Sequence, residues 1–451
     1  MIAPARVAAY DILRAVTGGG ADLPAAIATA RGRLPDERDA ALAAEIASGV
    51  QRWRAALDHV ISVFARRPLE RLDTEVVEIL RLSAYQLLHL TRVPAAAVVD
   101  DGVDLVRRAG KTSASGFVNA VLRTISRSRG KLPLPARPDA ADDTAGALDY
   151  LSITLSHPRW LAARWLERVG FAAAETWMTF NNAPAALTLR VNELRLNRDE
   201  LVTRLADEGV TVRPGRYAPD ALIVEEGHPL RGQGIEQGWF VVQDEASQLV
   251  AQLTNVQPST LVLDTCASPG GKTTAMAAMM RGSGRIVASD LRDRRMQLLR
   301  RTVAASGAKN IVLARADLLR PLPFQPRFDL VVVDAPCSGL GTLRRDPDIR
   351  WRRSEDDLSA LAAAELTMLQ HAADVVRAGG RLVYATCSSE PEENEGVVAA
   401  FLASTPHFVQ VHAHAAAPAL PAAVVDARGC LRTQPDLHGL EAFFGAVFAR
   451  R

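Results

Sequence analysis

Two cysteines stand out by position. Cys337 lies in DAPCSGLG (334–341) and Cys387 in ATCSSEPEENE (385–395), and each follows an apolar run that reads as a β-strand. A buried cysteine is usually an inert small hydrophobe. Two of the chain's four cysteines at successive strand ends point instead to reactive thiols. Cys266 and Cys430 read as structural. A third stretch, DTCASPGGKTT (264–274), has the form of a strand, a Gly-rich turn and the start of a helix. Gly270 and Gly271 let a ligand approach the backbone, and a helix N-terminus offers free N–H groups. It is not a phosphate loop, because GxxxxGK[ST] needs a glycine five residues before Gly271 and none is there. Four acids follow strands in order: Asp264, Asp290, Asp317 and Asp334. Asp290 comes 26 residues after Asp264, where an acid can accept both hydroxyls of a ribose. The ladder predicts a nucleoside-containing cofactor.

A carboxylate, two thiols and such a cofactor point to methylation at carbon 5 of a pyrimidine. That carbon is too weak a nucleophile to take a methyl group unaided. A thiolate adding at carbon 6 makes carbon 5 enamine-like, and the methyl then transfers. The proton on carbon 5 must afterwards leave and the thiol must be expelled, a step in which a second thiol can take part. A carboxyl group against the N3 edge would stabilise the adduct.

These residues need a scaffold. From about residue 260 the pattern alternates strand and helix: LVLD (261–264), RIVAS (285–289), NIVLAR (310–315), the near-continuous apolar FDLVVVD (328–334), a helix over 355–378 and RLVYATC (381–387). This predicts an α/β, doubly wound, mostly parallel sheet, with ligands at the carboxyl ends of its strands. Residues 151–255 predict a small α+β unit. It has helices over Trp160–Val169 and Ala172–Phe180, strand LTLRVN (187–192), a helix over 198–209, and strands ALIVEE and WFVVQ. Residues 1–130 read as all-helical, with apolar residues at helical spacing and starts at Pro35-Asp36-Glu37 and Pro94. The proline- and acid-containing stretch 131–150 reads as a linker. The expected divisions are therefore 1–130, 131–150, 151–255 and 256–451.

Composition limits the alternatives. The 451 residues are 48% hydrophobic and 23% charged, an ordinary globular balance. No apolar run approaches the roughly 18 residues that span a bilayer, and the first residues lack a signal-peptide core. A reduced cytoplasmic protein without disulfides or metal is expected. Net charge is only +2, yet residues 1–131 hold 19 basic against 14 acidic residues. Only four of the 53 basic residues are lysine, and arginine suits phosphate forks and base stacking. RTISRSRGK (123–131) and LRRDPDIRWRR (343–353) are the two stretches expected to touch RNA.

DTCASPGGKTT, DAPCSGLGTLRRDPDIRW and YATCSSEPEEN resemble the signatures of S-adenosylmethionine-dependent RNA 5-methylcytosine methyltransferases. RLSAYQLLHLTRVPAAAVVDDGVDLVRRA (81–109) and SGFVNAVLRTISR (115–127) are similar to the helical RNA-binding antitermination factor NusB. Together, and with SHPRWLAARW and VVQDEASQL, they look like the bacterial 16S ribosomal RNA (cytosine-5)-methyltransferases of Sun/Fmu type. The resemblance covers nearly the whole chain. It implies a class I methyltransferase fold, S-adenosyl-L-methionine as cofactor, small-subunit 16S ribosomal RNA as partner, and a monomer. It makes Cys387 the nucleophile and Cys337 the thiol that assists release. Cofactor contacts fall on Cys266, Ala267, Ser268, Pro269, Gly270, Gly271, Lys272, Asp290, Asp317 and Asp334. Whether Asp334 faces cofactor, cytosine or both stays open. The rival readings are a non-catalytic RNA-binding or assembly protein, or a DNA or tRNA cytosine-5 methyltransferase. A nicotinamide-dependent oxidoreductase lacks its GxGxxG here.

Overall fold

The computed structural model describes residues 2–139 and 143–451. Contacts divide the chain into two units, Met1–Ala183 with Leu343–Glu355, and Pro184–Thr342 with Asp356–Arg451.

The first unit is helical: α1 Pro4–Gly19, α2 Leu23–Arg31, α3 Glu37–Ala65, α4 Thr74–His89, α5 Ala95–Arg108, α6 Ser115–Arg127, α7 Thr144–Asp149 and α8 Arg159–Asn182. The acid at the Pro35 turn acts as read from sequence: the Asp36 carboxylate accepts the Arg38 N–H at 2.7 Å and starts α3. Ile46, Val50, Leu57, Ile79, Leu80 and Leu87 form the core at the expected spacing, while Val7, Leu42 and Trp53 flank it partly buried. Helix α8 breaks at Gly170, φ 77°, ψ 169°, between the two expected helical runs; only glycine adopts that conformation without strain.

Two expectations need correction here. The stretch 131–150 is not a free linker. Leu132 and Leu134 pack on the core, Pro133 O bonds the His59 ring at 2.8 Å, and Asp143 caps α7 through Gly146 N at 2.8 Å. Residues 140–142 of that stretch lie outside the described residues. Nor is 343–353 an open basic strip. Arg350 is fully buried and donates to Ser156 O at 2.9 Å and Asn182 Oδ1 at 3.0 Å. Trp351 Nε1 donates to Gln51 O at 2.6 Å, and Asp348 Oδ2 accepts Leu23 N at 3.1 Å. A guanidinium can be buried where carbonyl oxygens meet its donors.

The second unit carries two sheets. Strands β1 Thr188–Val191, β2 Thr211–Pro214, β3 Ala221–Glu226 and β4 Phe240–Val242 pair antiparallel in the order β2-β3-β1-β4. Helix α9 Arg198–Asp207 opens with a capping box between Asn197 and Glu200. Helix α10 Glu245–Leu253 is followed by β5 Leu261–Asp264, α11 Gly271–Met279, β6 Arg285–Asp290, α12 Asp293–Ser306, β7 Ile311–Arg315 and β8 Phe328–Asp334. After them come α13 Asp357–Asp374, β9 Val376–Thr386, α14 Val397–Ser404, β10 Phe408–Val411, β11 Leu431–Thr433 and β12 Phe443–Arg450. The second sheet runs β10-β12-β9-β8-β5-β6-β7, with β11 on β12. Its β7, β6, β5, β8 and β9 are parallel, and β12, β10 and β11 add antiparallel pairs.

The division at 183/184 differs from the expected break at 150/151, because Leu161, Trp165 and Trp177 of α8 are buried in the helical unit. No break falls at 255/256. Leu249, Val250 and Leu253 of α10 share one core with Met276, Met280 and Val447. Helix α13 stops at Asp374, short of the expected 378, because Val376 already pairs with Phe328.

Candidate active site

Parallel pairing aligns the carboxyl ends of β6, β5, β8 and β9, and the expected chemistry collects there. Asp264 ends β5, Asp290 ends β6 and Asp334 ends β8, while Cys387 directly follows β9. The turn Thr265–Gly270 knits the acids together. Ser268 N donates to Asp290 Oδ2 at 3.2 Å, and Ala267 N to Ser289 O at 2.9 Å. Lys272 Nζ reaches Asp334 Oδ2 at 2.6 Å, and Thr273 Oγ1 reaches Asp264 Oδ2 at 2.7 Å. Asp317 lies further out: its carboxylate accepts Leu319 N at 3.0 Å and pairs with Arg320. Asp317 follows two residues after β7, and Ala316 N donates to Asp290 O at 3.4 Å, so this loop is tied to the end of β6.

Local physics explains the turn. Gly270 sits at φ 104°, and a Cβ there would come within 3.0–3.2 Å of Leu299 and Thr302. Glycine suits the left-handed conformation, and a larger residue would have to push Leu299 and Thr302 aside by a few tenths of an ångström. Ser268–Pro269 is a cis peptide. The first turn of α11 leaves its N–H groups without intrahelical acceptors. Acids at the strand ends, free N–H groups and a tight glycine turn form a donor and acceptor set that fits a nucleoside with hydroxyls and a charged tail.

Electrostatics separates the groups. Burial pushes Asp264 up to about 7, with the Thr273 hydrogen bond opposing. Burial alone would pull the Lys272 ammonium down, but Asp334 holds it above its ordinary value. Burial, with Asp334 adding to it, pushes Cys266 up to about 12, and burial does the same to Cys430. Both thiols therefore keep their protons at neutral pH.

The two singled-out cysteines meet. Cys337 Sγ lies 3.3 Å from Cys387 Sγ. The hydrogen bond to Cys387, then burial, raises the Cys337 thiol well above its ordinary value. Gly341 N donates to Cys387 O at 2.9 Å and joins the two loops.

Sequence reading missed the polar groups behind the thiols. Glu393, fully buried, accepts Ser338 N and Ser338 Oγ, each at 2.6 Å, and also Ser388 Oγ. Asn394 Oδ1 accepts Thr386 Oγ1 at 2.5 Å, and its Nδ2 donates to Ser388 O at 3.0 Å. Glu365 and Tyr384 are buried beside them, with Tyr384 Oη 3.0 Å from Glu365 Oε2 and 2.6 Å from Glu393 O. A serine after Cys337 and after Cys387, and the acids of EPEENE, were the available signal. Arg190 of β1 was missed too. It is buried and donates to Gln243 Oε1 at 2.7 Å, Thr274 Oγ1 at 2.8 Å and Gly271 O, tying the small sheet to the start of α11.

Among the described residues, no group of three His, Cys, Asp or Glu is placed to hold a metal ion, and no helix is long and apolar enough to cross a membrane.

Three family profiles match the chain: the NusB family over residues 3–127, the ferredoxin-like domain of RsmF/B-like methyltransferases over 157–231, and 16S rRNA methyltransferase RsmB/F over 251–449. The ribosomal RNA small subunit methyltransferase B of Pseudomonas putida is 35% identical over 408 residues, covering 89% of each chain. Among solved structures, that of PH0851 superposes with a TM-score of 0.81 at 24% identity, covering 99% of both chains. A methyltransferase homologue from Pyrococcus horikoshii superposes with a TM-score of 0.59 at 25% identity, over 68% of this chain and all of that one. The chain thus belongs to the RsmB/F family of 16S rRNA methyltransferases, with a NusB domain and a class I methyltransferase domain that uses S-adenosyl-L-methionine.

Proposed function

We propose that the chain methylates carbon 5 of a cytosine in the 16S ribosomal RNA of the small subunit, through a covalent adduct on Cys387. The carrying observation is the 3.3 Å separation of Cys337 and Cys387 beside the cofactor turn. One thiol alone serves many reactions, but two at one point suit the formation and then the breakdown of an adduct.

When bound, S-adenosylmethionine supplies an electrophilic methyl group. Residues Cys266–Lys272 with Asp290, Asp317 and Asp334 would hold it. Cys387 Sγ bonds to carbon 6, and the electrons of the 5,6 double bond move toward N3 and carbon 5. Carbon 5 then takes the methyl group. Its proton next leaves to a base, the double bond re-forms and the Cys387 sulfur departs. Cys337 is assigned to this last stage. Its Sγ lies 3.3 Å from Cys387 Sγ, within reach of the same base. Asp334, fixed by Lys272, stands at the end of the neighbouring strand, where a carboxyl group could bind cofactor, the base edge or both.

RNA binding by the NusB domain fits the basic end of α6. Arg123, Arg127, Arg129 and Lys131 are exposed there. The test is bisulfite mapping of small-subunit RNA incubated with the protein and S-adenosylmethionine. One new 5-methylcytosine is expected, while methylation of another atom, or none, refutes the proposal.

A further inference from the structure

Cys337 and Cys387 are each followed by a serine, and both serines bind one acid. Glu393 receives the backbone N–H and hydroxyl of Ser338 and the hydroxyl of Ser388. The two hydroxyls lie 3.1 Å apart. The Ser338 contacts hold the loop after β8, and the Ser388 contact holds the loop after β9. Next to Glu393, Asn394 grips the loop after β9 a second time, through Thr386 and Ser388. Glu393 is fully buried, so no water competes for its oxygens. It binds both loops through the two serines, and its charge also contributes to raising the Cys337 thiol.

We propose that Glu393 is the positioning residue of the thiol pair: by binding the serine after each cysteine, its carboxylate fixes the distance and direction between Cys337 and Cys387. The role assigned to that distance in methyl transfer rests on the covalent-adduct reading given above; the clamp itself does not. An adduct made by one thiol and resolved by another requires both to address the same base, and a displacement of about 1 Å costs on the order of 100-fold in rate. One buried acid bound to both loops ensures that they move together or not at all.

The geometry can be read without RNA or cofactor. Phenylarsine oxide bonds tightly only to two neighbouring thiols. The native full-length chain should bind one equivalent, and Cys337→Ala or Cys387→Ala should abolish it. Glu393→Ala, checked as folded by its melting transition, should slow bridging at least tenfold. In methylation assays kcat should fall about 100-fold with KM for S-adenosylmethionine within twofold, a split that a general loss of folding does not give. If Glu393→Ala does not fold, Ser388→Ala removes one contact without deleting the acid, and bridging should slow at least threefold. Bridging and kcat within twofold of native in either folded variant overturn the clamp. Failure of the methylation reading is distinguishable: methyl found away from carbon 5 removes that reading, while slowed bridging still upholds the clamp.

Discussion

Replacing Glu365 by glutamine should flatten the pH dependence of stability near the thiols. Burial first, and then the neighbouring Glu393, push Glu365 up to about 9. Geometry agrees. Tyr384 has one phenolic proton, and Glu393 O, which can only accept, lies nearer at 2.6 Å. The 3.0 Å contact with Glu365 is then satisfied by a proton on the carboxyl group. An unfolded glutamate releases that proton near 4.3. Between those values the folded chain holds a proton that the unfolded chain has lost. The contribution is full below about pH 4 and falls as pH rises toward 9. Each pH unit is worth about 1.4 kcal/mol, so pH 6 to pH 8 should remove roughly 3 kcal/mol, on the order of 100-fold in the opening constant. Amide hydrogen exchange of β9, corrected for its intrinsic rate, reads that constant for native chain and Glu365→Gln. Asp264 and His157 also titrate differently in the folded state, but they cancel between the two proteins. An infrared band of a protonated carboxyl at pH 8, absent in Glu365→Gln, provides the direct check. A difference between the two pH dependences below about 0.5 kcal/mol, with no such band, would refute the reasoning.

Asp290→Ala should weaken S-adenosylmethionine binding by roughly 1.5–3 kcal/mol, the range for a hydrogen bond to a charged group, measured by calorimetry. Unchanged affinity in a folded variant removes Asp290 from the cofactor site. Neutralising Arg123, Arg127, Arg129 and Lys131 together should lower the slope of log affinity against log salt by about 3, at roughly 0.7 for each phosphate that the protein no longer neutralises. An unchanged slope places RNA elsewhere.

The grouping of the strand-end residues was legible because it is local. Strand-end acids, the glycine turn and both cysteines follow apolar runs whose parallel pairing the alternation of strand and helix already implies. The groups behind the thiols were not legible for the opposite reason. Glu365 comes from α13 and Glu393 from beyond β9, so only tertiary packing makes them neighbours. Arg350 misled through its type. Five arginines around a tryptophan look like a solvent-facing patch, yet carbonyl oxygens of the helical unit receive this guanidinium in the interior. The tail hid β12 in FFGAVFAR, a run buried on both faces that lacks the alternation marking a half-exposed strand. Domain limits were blurred likewise, since helix α8 packs with the helical unit while the strands after it pack with the catalytic sheet.

The central claim is that Cys387 attacks the base and Cys337 releases it. Removing a group needed late in a reaction builds up the intermediate before it, whereas removing the nucleophile prevents that intermediate from forming. Labelled small-subunit RNA should be incubated with S-adenosylmethionine and each variant, then run on denaturing gels. A protein–RNA species should accumulate with Cys337→Ala and be absent with Cys387→Ala and with the double variant. An adduct that forms with Cys387→Ala and not with Cys337→Ala would contradict the account and exchange the roles of the two thiols.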